Sequence, residues 1–433
     1  MRAFSVAIIL LLASPLATAS LLTTPPTPSI PLPPLDVRDG DVLLMLGREM
    51  GLHPTRLGVP VVPIGLDLPT MVQRLGERAG TPVAAEDAAR FATLDPAIAT
   101  PVLTLLVAMD QAWTIRDAAF SDVSDEELRA AYLAHEAGQP VPALATPDDL
   151  EMLLNAAIML SDTLDSLVLP QLDALADAPV WPASAVADPV GILRIGGTGD
   201  DVETIDRFLQ IDPRGDDEYY NNAGGAAAAR DLGVGSLDAG YVVAYSLDLS
   251  GEDSYVYAST TGQGSAFAGL GGLLDLQGND QYDCSYCMGS ATSGIGLFRD
   301  AAGSDQYIRI TRGVGYGDDG LGYFREDAGH DFYRGAGRVG GAGTGTGLGL
   351  YWDRDGSEKF EAAVGDSRSL GWSEDGGRGW YVDEGTGLET WVDTANHGTH
   401  PHFCNDCTWT DGAGGRGNDN YGGLAYLVAK QEP

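Results

Sequence analysis

Two groups of residues in this 433-residue chain have the types and spacing for chemistry. One is the insert HGTHPHFCNDC, where His397, His400 and His402 precede Cys404 and Cys407. Two thiolates with two imidazoles form the donor set of a tetrahedral Zn2+ site, so a local zinc centre is one reading of it. The other group is a row of acids, Asp217, Asp253, Asp280, Asp305, Asp331, Glu358 and Asp419, each two residues ahead of an aromatic. Hard oxygen donors repeated in this way suit Ca2+. The usual catalytic signatures are missing: there is no G-x-S-x-G elbow, no H-E-x-x-H helix and no phosphate-binding G-x-x-x-x-G-K-S/T loop.

The acids belong to an eight-residue unit, acid-x-x-Gly-x-acid-x-aromatic. It appears as DPRGDDEY, DLSGEDSY, DLQGNDQY, DAAGSDQY, EDAGHDFY, DRDGSEKF, EGTGLETW and, with its first acid missing, GRGNDNY ending at Tyr421. The shared glycines run from Gly215 and Gly251 to Gly387 and Gly417, 25 to 36 residues apart, which is close to one coil of a β-solenoid. A coil cannot bury its apolar side alone, so stacking must supply the core, with equivalent strands about 4.8 Å apart. The aromatics then form one ladder and the second acids another.

Carboxylates at that spacing repel by roughly 1 kcal/mol in water and several at a surface dielectric near 20. Turn N–H bonds in an Asx-type cap, fanning of the coils, or bound calcium would each relieve the repulsion. The aromatic ladder either fills the interior or forms a flat outer strip suited to sugars. The shared glycine is expected at positive φ in a turn.

GGRGNDNYG, Gly414 to Gly422, resembles the calcium-binding nonapeptide of the repeats-in-toxin family, whose β-roll holds Ca2+ between turns. That family repeats every nine residues, so the likeness covers only this segment. Residues 210 to 421 resemble the glycine and aspartate-rich β-solenoid repeat regions of secreted archaeal and bacterial proteins of unassigned function, which implies an architecture and no reaction.

Both cysteine pairs are C-x-x-C, Cys284 with Cys287 and Cys404 with Cys407, and about five coils lie between them. Neither a shared zinc nor a cross-disulfide spans that distance, so each pair closes locally, as a disulfide in an exported chain. Neither pair is followed by His, which excludes covalent haem attachment.

The elements that must position these residues follow from composition. Residues 1–19 read as a signal peptide, with Arg2, an apolar run from Val6 to Leu12 and an Ala17-Thr18-Ala19 cleavage site. Residues 20–38 form a proline-rich linker. From 39 to 178 the sequence is helical. Ser124 to Glu127 and Thr146 to Asp149 open helices, and Leu150, Leu153, Leu154, Ala157, Ile158, Leu164, Leu167 and Val168 mark an apolar face before Pro170 kinks or ends the second. A linker, 179–189, leads to the repeat domain, 190–433. The expected fold is α then all-β: a small helical N-terminal domain followed by a right-handed parallel β-solenoid (β-helix) of about eight coils.

The formal net charge of −37, with 62 acids against 25 bases, repels phosphate backbones and anionic lipid. Nucleic acid and membrane insertion are therefore not expected; cations, carbohydrate or another surface protein are the expected partners. The location expected is secreted or at the cell surface, and the leading function is a structural, adhesion or ligand-binding solenoid. A second reading is a parallel β-helix polysaccharide lyase or hydrolase, with Arg309, Arg312 or Arg334 beside acids in a groove.

Overall fold

The computed structural model describes residues 38–227, 241–257, 260–336, 339–362, 371–374 and 376–383, and beyond them the strands Thr390–Asp393, Thr408–Thr410, Arg416–Asp419 and Tyr426–Ala429 as backbone. The leader, nearly all of the proline-rich linker, and the His397 to Cys407 insert lie outside the described residues.

The helical part begins at Asp39–Glu49 and is built around two long helices, Pro96–Ala119 and Pro147–Thr163. Both expected capping boxes form: Ser124 and Glu127 cap Asp125–Glu136, and Thr146 and Asp149 cap Pro147–Thr163. The second helix passes through a π turn, Leu164–Val168, before Leu169–Asp173, which accommodates the missing N–H of Pro170 without ending the helix there. Of its predicted apolar face, Leu150, Leu153, Leu154, Ala157, Ile158, Leu164 and Val168 are buried, whereas Leu167 is exposed. Pro96–Ala119 and Pro147–Asp173 are long and apolar enough to cross a membrane, but about 70% of each is buried inside the protein, as core helices are.

From Leu193 the chain winds into three sheets of parallel strands, apart from Thr408–Thr410, which pairs antiparallel with Arg416–Asp419. The first sheet carries six-residue strands such as Leu270–Asp275, Ile295–Asp300 and Leu321–Glu326, paired in unbroken register. The second carries the aromatics, Gln281–Asp283 beside Gln306–Ile310, and the third is made of two-residue strands such as Ala291–Thr292 and Gly317–Asp318. About five turns have this regular three-strand form.

First-sheet strands are buried on both faces and so read as near-continuous apolar runs. Leu297 and Tyr323 point outward to a core shared with the helices, while Phe298 and Phe324 point inward to a second core inside the coil. Gly271, Gly296, Gly322 and Gly349 stack in register between these residues. A Cβ there would come within 2.0–2.3 Å of the backbone oxygen of Ser265, Ser290, Tyr316 or Ala342, so the third strand can cross close behind only a glycine.

The helices lie along the outer face of the first sheet. Trp113 packs on Phe208. Arg116 Nε donates to the Ala268 carbonyl at 2.8 Å, and the Leu144 N–H donates to Ser293 Oγ at 3.2 Å. Four turns along from Phe208, Asp39 accepts from the Tyr323 hydroxyl and from Arg325 Nη1, both at 2.7 Å.

Candidate functional site: a buried carboxylate column

Each coil delivers two acids to the interior. The first acid ends a first-sheet strand, and its register partners run Asp212, Asp248, Asp275, Asp300, Glu326, Asp353 and Asp383. The second acid follows the turn glycine. Asp217, Asp253, Asp280, Asp305, Asp331 and Glu358, six of the seven expected calcium ligands, stack in this position and are 1–3% exposed. They are therefore not solvent-facing Asx caps, because the turn folds the carboxylate inward beneath the tyrosine sheet.

The shared glycine serves a different purpose from the one expected. Gly215 alone of the turn glycines in the described repeats takes a positive φ. At Gly278 a Cβ would lie 2.3 Å from Asp280 Oδ2 and from the Gly251 carbonyl, so the residue is glycine for lack of room.

Asp419 falls elsewhere. Its strand pairs Asp383 with Asp419, which places it in register with the first acids, and the position after Trp391 in the second sheet is taken by Leu427 and not by Tyr421. The eighth copy is thus aligned one acid late by its sequence: Asp419 holds the register of a first acid, not of a second. Likewise the first acid of the seventh copy is Asp383, in register with Asp353.

The aromatics Tyr219, Tyr255, Tyr282, Tyr307, Tyr333 and Phe360 stack 4.6–5.0 Å apart, and all are buried. This ladder is interior filling and offers no flat outer strip for a sugar. Its hydroxyls meet the first acids: Tyr255 lies 3.1 Å from Asp248 Oδ2 and 2.9 Å from Asp275 Oδ2, and Tyr282 lies 2.9 Å from Asp275 Oδ2 and from Asp300 Oδ2. Second acids use one oxygen differently. Oδ1 of Asp253, Asp280 and Asp305 accepts the backbone N–H of the second acid one coil earlier, at 2.6 Å.

Most of these carboxylates thus have one oxygen engaged and one orphaned; Asp217 accepts on both, from the Asp201 N–H and the Tyr219 hydroxyl, and Glu358 has neither engaged. Oδ1 of Asp248 and Asp275, and Oδ2 of Asp253, Asp280 and Asp305, are buried without a hydrogen-bond partner. Oxygens of successive acids gather in trios within 4.8 Å of one another: Asp217, Asp248 and Asp253; Asp253, Asp275 and Asp280; Asp280, Asp300 and Asp305; Asp305, Glu326 and Asp331. Burial pushes these carboxyls up, and the neighbouring acids push further. Asp253 rises to about 10, Asp305 to about 9 and Asp280 to about 12, while Asp300, with two phenol donors, rises to about 6.

A fifth trio, Asp201, Asp212 and Asp217, precedes these, in a short coil built by GGTGDDVE. That coil has no aromatic and puts Gly196 where the first acid belongs, so the repeat pattern hides it. Its strand carries Arg194, whose guanidinium reaches Asp212 Oδ2 and Asp201 Oδ2, both at 2.7 Å, and Glu203 at 3.1 Å. Burial pushes Arg194 down, but Asp212 beside it holds it charged.

Cys284 and Cys287 form the local disulfide, buried in the inner core. His397, His400, His402, Cys404 and Cys407 lie outside the described residues. Arg309 pairs with Asp283 and Arg334 with Glu361 at 3.1 Å on the exposed face of the second sheet, while Arg312 lies over the Tyr286 ring.

No family model, curated protein or solved structure matches this chain. Its function has to be read from the arrangement itself. That arrangement can store positive charge, as protons or as cations, along the solenoid axis.

Proposed function

We propose that this chain is an exported structural or adhesion β-solenoid, a right-handed stack of about eight coils displayed outside the cell. One observation carries the reading: the residues that define the repeat, both acids and the aromatic, are spent on the interior of the stack. A repeat whose chemistry faces inward builds length and stiffness, whereas a repeated binding surface would present its conserved chemistry outward. The leader-like N-terminus and the acidic composition support an extracellular setting, and calcium is the cation such a setting offers to buried carboxylates.

The competing reading, an acidic-polysaccharide lyase or hydrolase, draws on the exposed second-sheet face, where Phe332 sits beneath Arg334 and Lys359. Arg334 and Lys359 both pair with Glu361 there, which leaves less positive charge for a polyanion. The test is to express the full chain, determine the mature N-terminus and the cell fraction that holds it, and assay it on acidic and neutral polysaccharides. A mature protein starting at Ser20, bound to the cell surface and without turnover, is the expected result. Release of an unsaturated sugar product, or retention of the protein in the cytoplasm, would overturn it.

A further inference from the structure

We infer that the four carboxylate trios from Asp217–Asp248–Asp253 to Asp305–Glu326–Asp331 are hard divalent-cation sites, and that Arg194 fills the equivalent position of the first trio as a built-in cation. The inference rests on the scaffold reading and specifies what fills its axis. Three observations lead to it.

The first is the orphaned oxygens. A proton shared between neighbouring acids, as between Asp305 and Asp331, joins only two oxygens and leaves others unpartnered in a dry interior. A cation serves three orphaned oxygens at once in each of the last three trios, and two in the first, where Asp217 already accepts on both oxygens. Two oxygens each about 2.4 Å from Ca2+ stand at most about 4.8 Å apart, and the oxygens of each trio lie within that limit, whereas Mg2+ retains its waters.

Charge is the second. Successive trios share a second acid, so each further coil adds one first and one second acid, a charge of −2. One divalent ion per coil balances it along any length of stack.

The third is Arg194. The trio that has an arginine is the one at the start of the stack, where the coil contributes no first acid. Among the described residues no arginine or lysine is seen to ion-pair with an acid of the four later trios. The same geometry is thus met with a guanidinium once and then left with a repeating deficit of charge.

The sharing of acids makes the count of ions diagnostic. Asp275 belongs to one trio and Asp280 to two. The full mature chain, saturated with CaCl2 and desalted, is expected to retain at least four calcium ions by elemental analysis. Asp275→Asn should retain one fewer, Asp280→Asn two fewer, and Arg194→Met one more, as its trio opens; Asp283→Asn, which lies in no trio, should match wild type. Wild-type protein that retains no calcium, or equal losses in Asp275→Asn and Asp280→Asn, would overturn the inference. If the variants fail to fold, the wild-type count decides alone. A folded, calcium-free, surface-displayed protein would remove the cation column and leave the scaffold standing; polysaccharide turnover with the count intact would do the reverse.

Discussion

At the scale of single residues, the structure turns on what an extra atom or a missing hydrogen would do. Gly278→Ala would force a methyl against Asp280 Oδ2 and the Gly251 carbonyl, both in the interior of the stack. Such overpacking should cost about 2–3 kcal/mol, read as a lower denaturation midpoint, whereas Gly199→Ala, where a Cβ meets nothing, should cost little. Tyr282→Phe keeps the ring in the stack but removes the donor between Asp275 and Asp300. A loss of about 1–3 kcal/mol is expected, and Tyr282→Ala should exceed it because the stacking also goes. The sequence disclosed that acid, glycine and aromatic recur together. It did not disclose that glycine serves space and not φ, nor that the first acid shares the site with the second, because both follow from how closely coils approach and not from spacing along one coil.

At the scale of elements, the join between helices and solenoid depends on a few buried charges. Asp39 takes hydrogen bonds from Tyr323 and Arg325, and although burial pushes its carboxyl up, Arg325 and Arg299 hold it below its ordinary value. Asp39→Ala would strand part of that positive charge in the interface and should cost about 3 kcal/mol, with the helices becoming susceptible to limited proteolysis before the stack. The helices themselves were legible: capping boxes and apolar stripes are local signals, and both caps formed at the expected residues. The third sheet was not, since strands of two residues such as Ala291–Thr292 are too short to show a period, and left-handed residues such as Ser293 and Val314 bend the chain around them. The coil containing Arg194 is hidden in the sequence for a related reason, having neither the aromatic nor the first acid that mark the other copies.

At the scale of the whole molecule, the column couples stability to pH with a sign that depends on what fills it. Without cations, Asp253, Asp305 and Asp300 have folded values of about 10, 9 and 6, above the ordinary 3.8. The folded state then binds protons more tightly than the unfolded chain, so stability is full below about pH 4 and is lost as pH rises through 6 to 10. Calcium reverses the sign, because ionised ligands must be protonated to release the metal, and stability is then lost as pH falls. Thermal melts from pH 4 to 9 should therefore slope downward in chelator and upward in calcium. Parallel slopes in the two buffers would count against a filled column.

The helices touch the stack at Phe208, Ala268, Ser293 and Arg325, points spread along four turns that must all be in place together. A coil lost or gained between the first and last of these would put Asp39 opposite the wrong turn while Arg116 stayed put. The helical layer is therefore a gauge as well as a cover: it fixes the number of coils beneath it, and the solenoid is free to vary in length only beyond its reach.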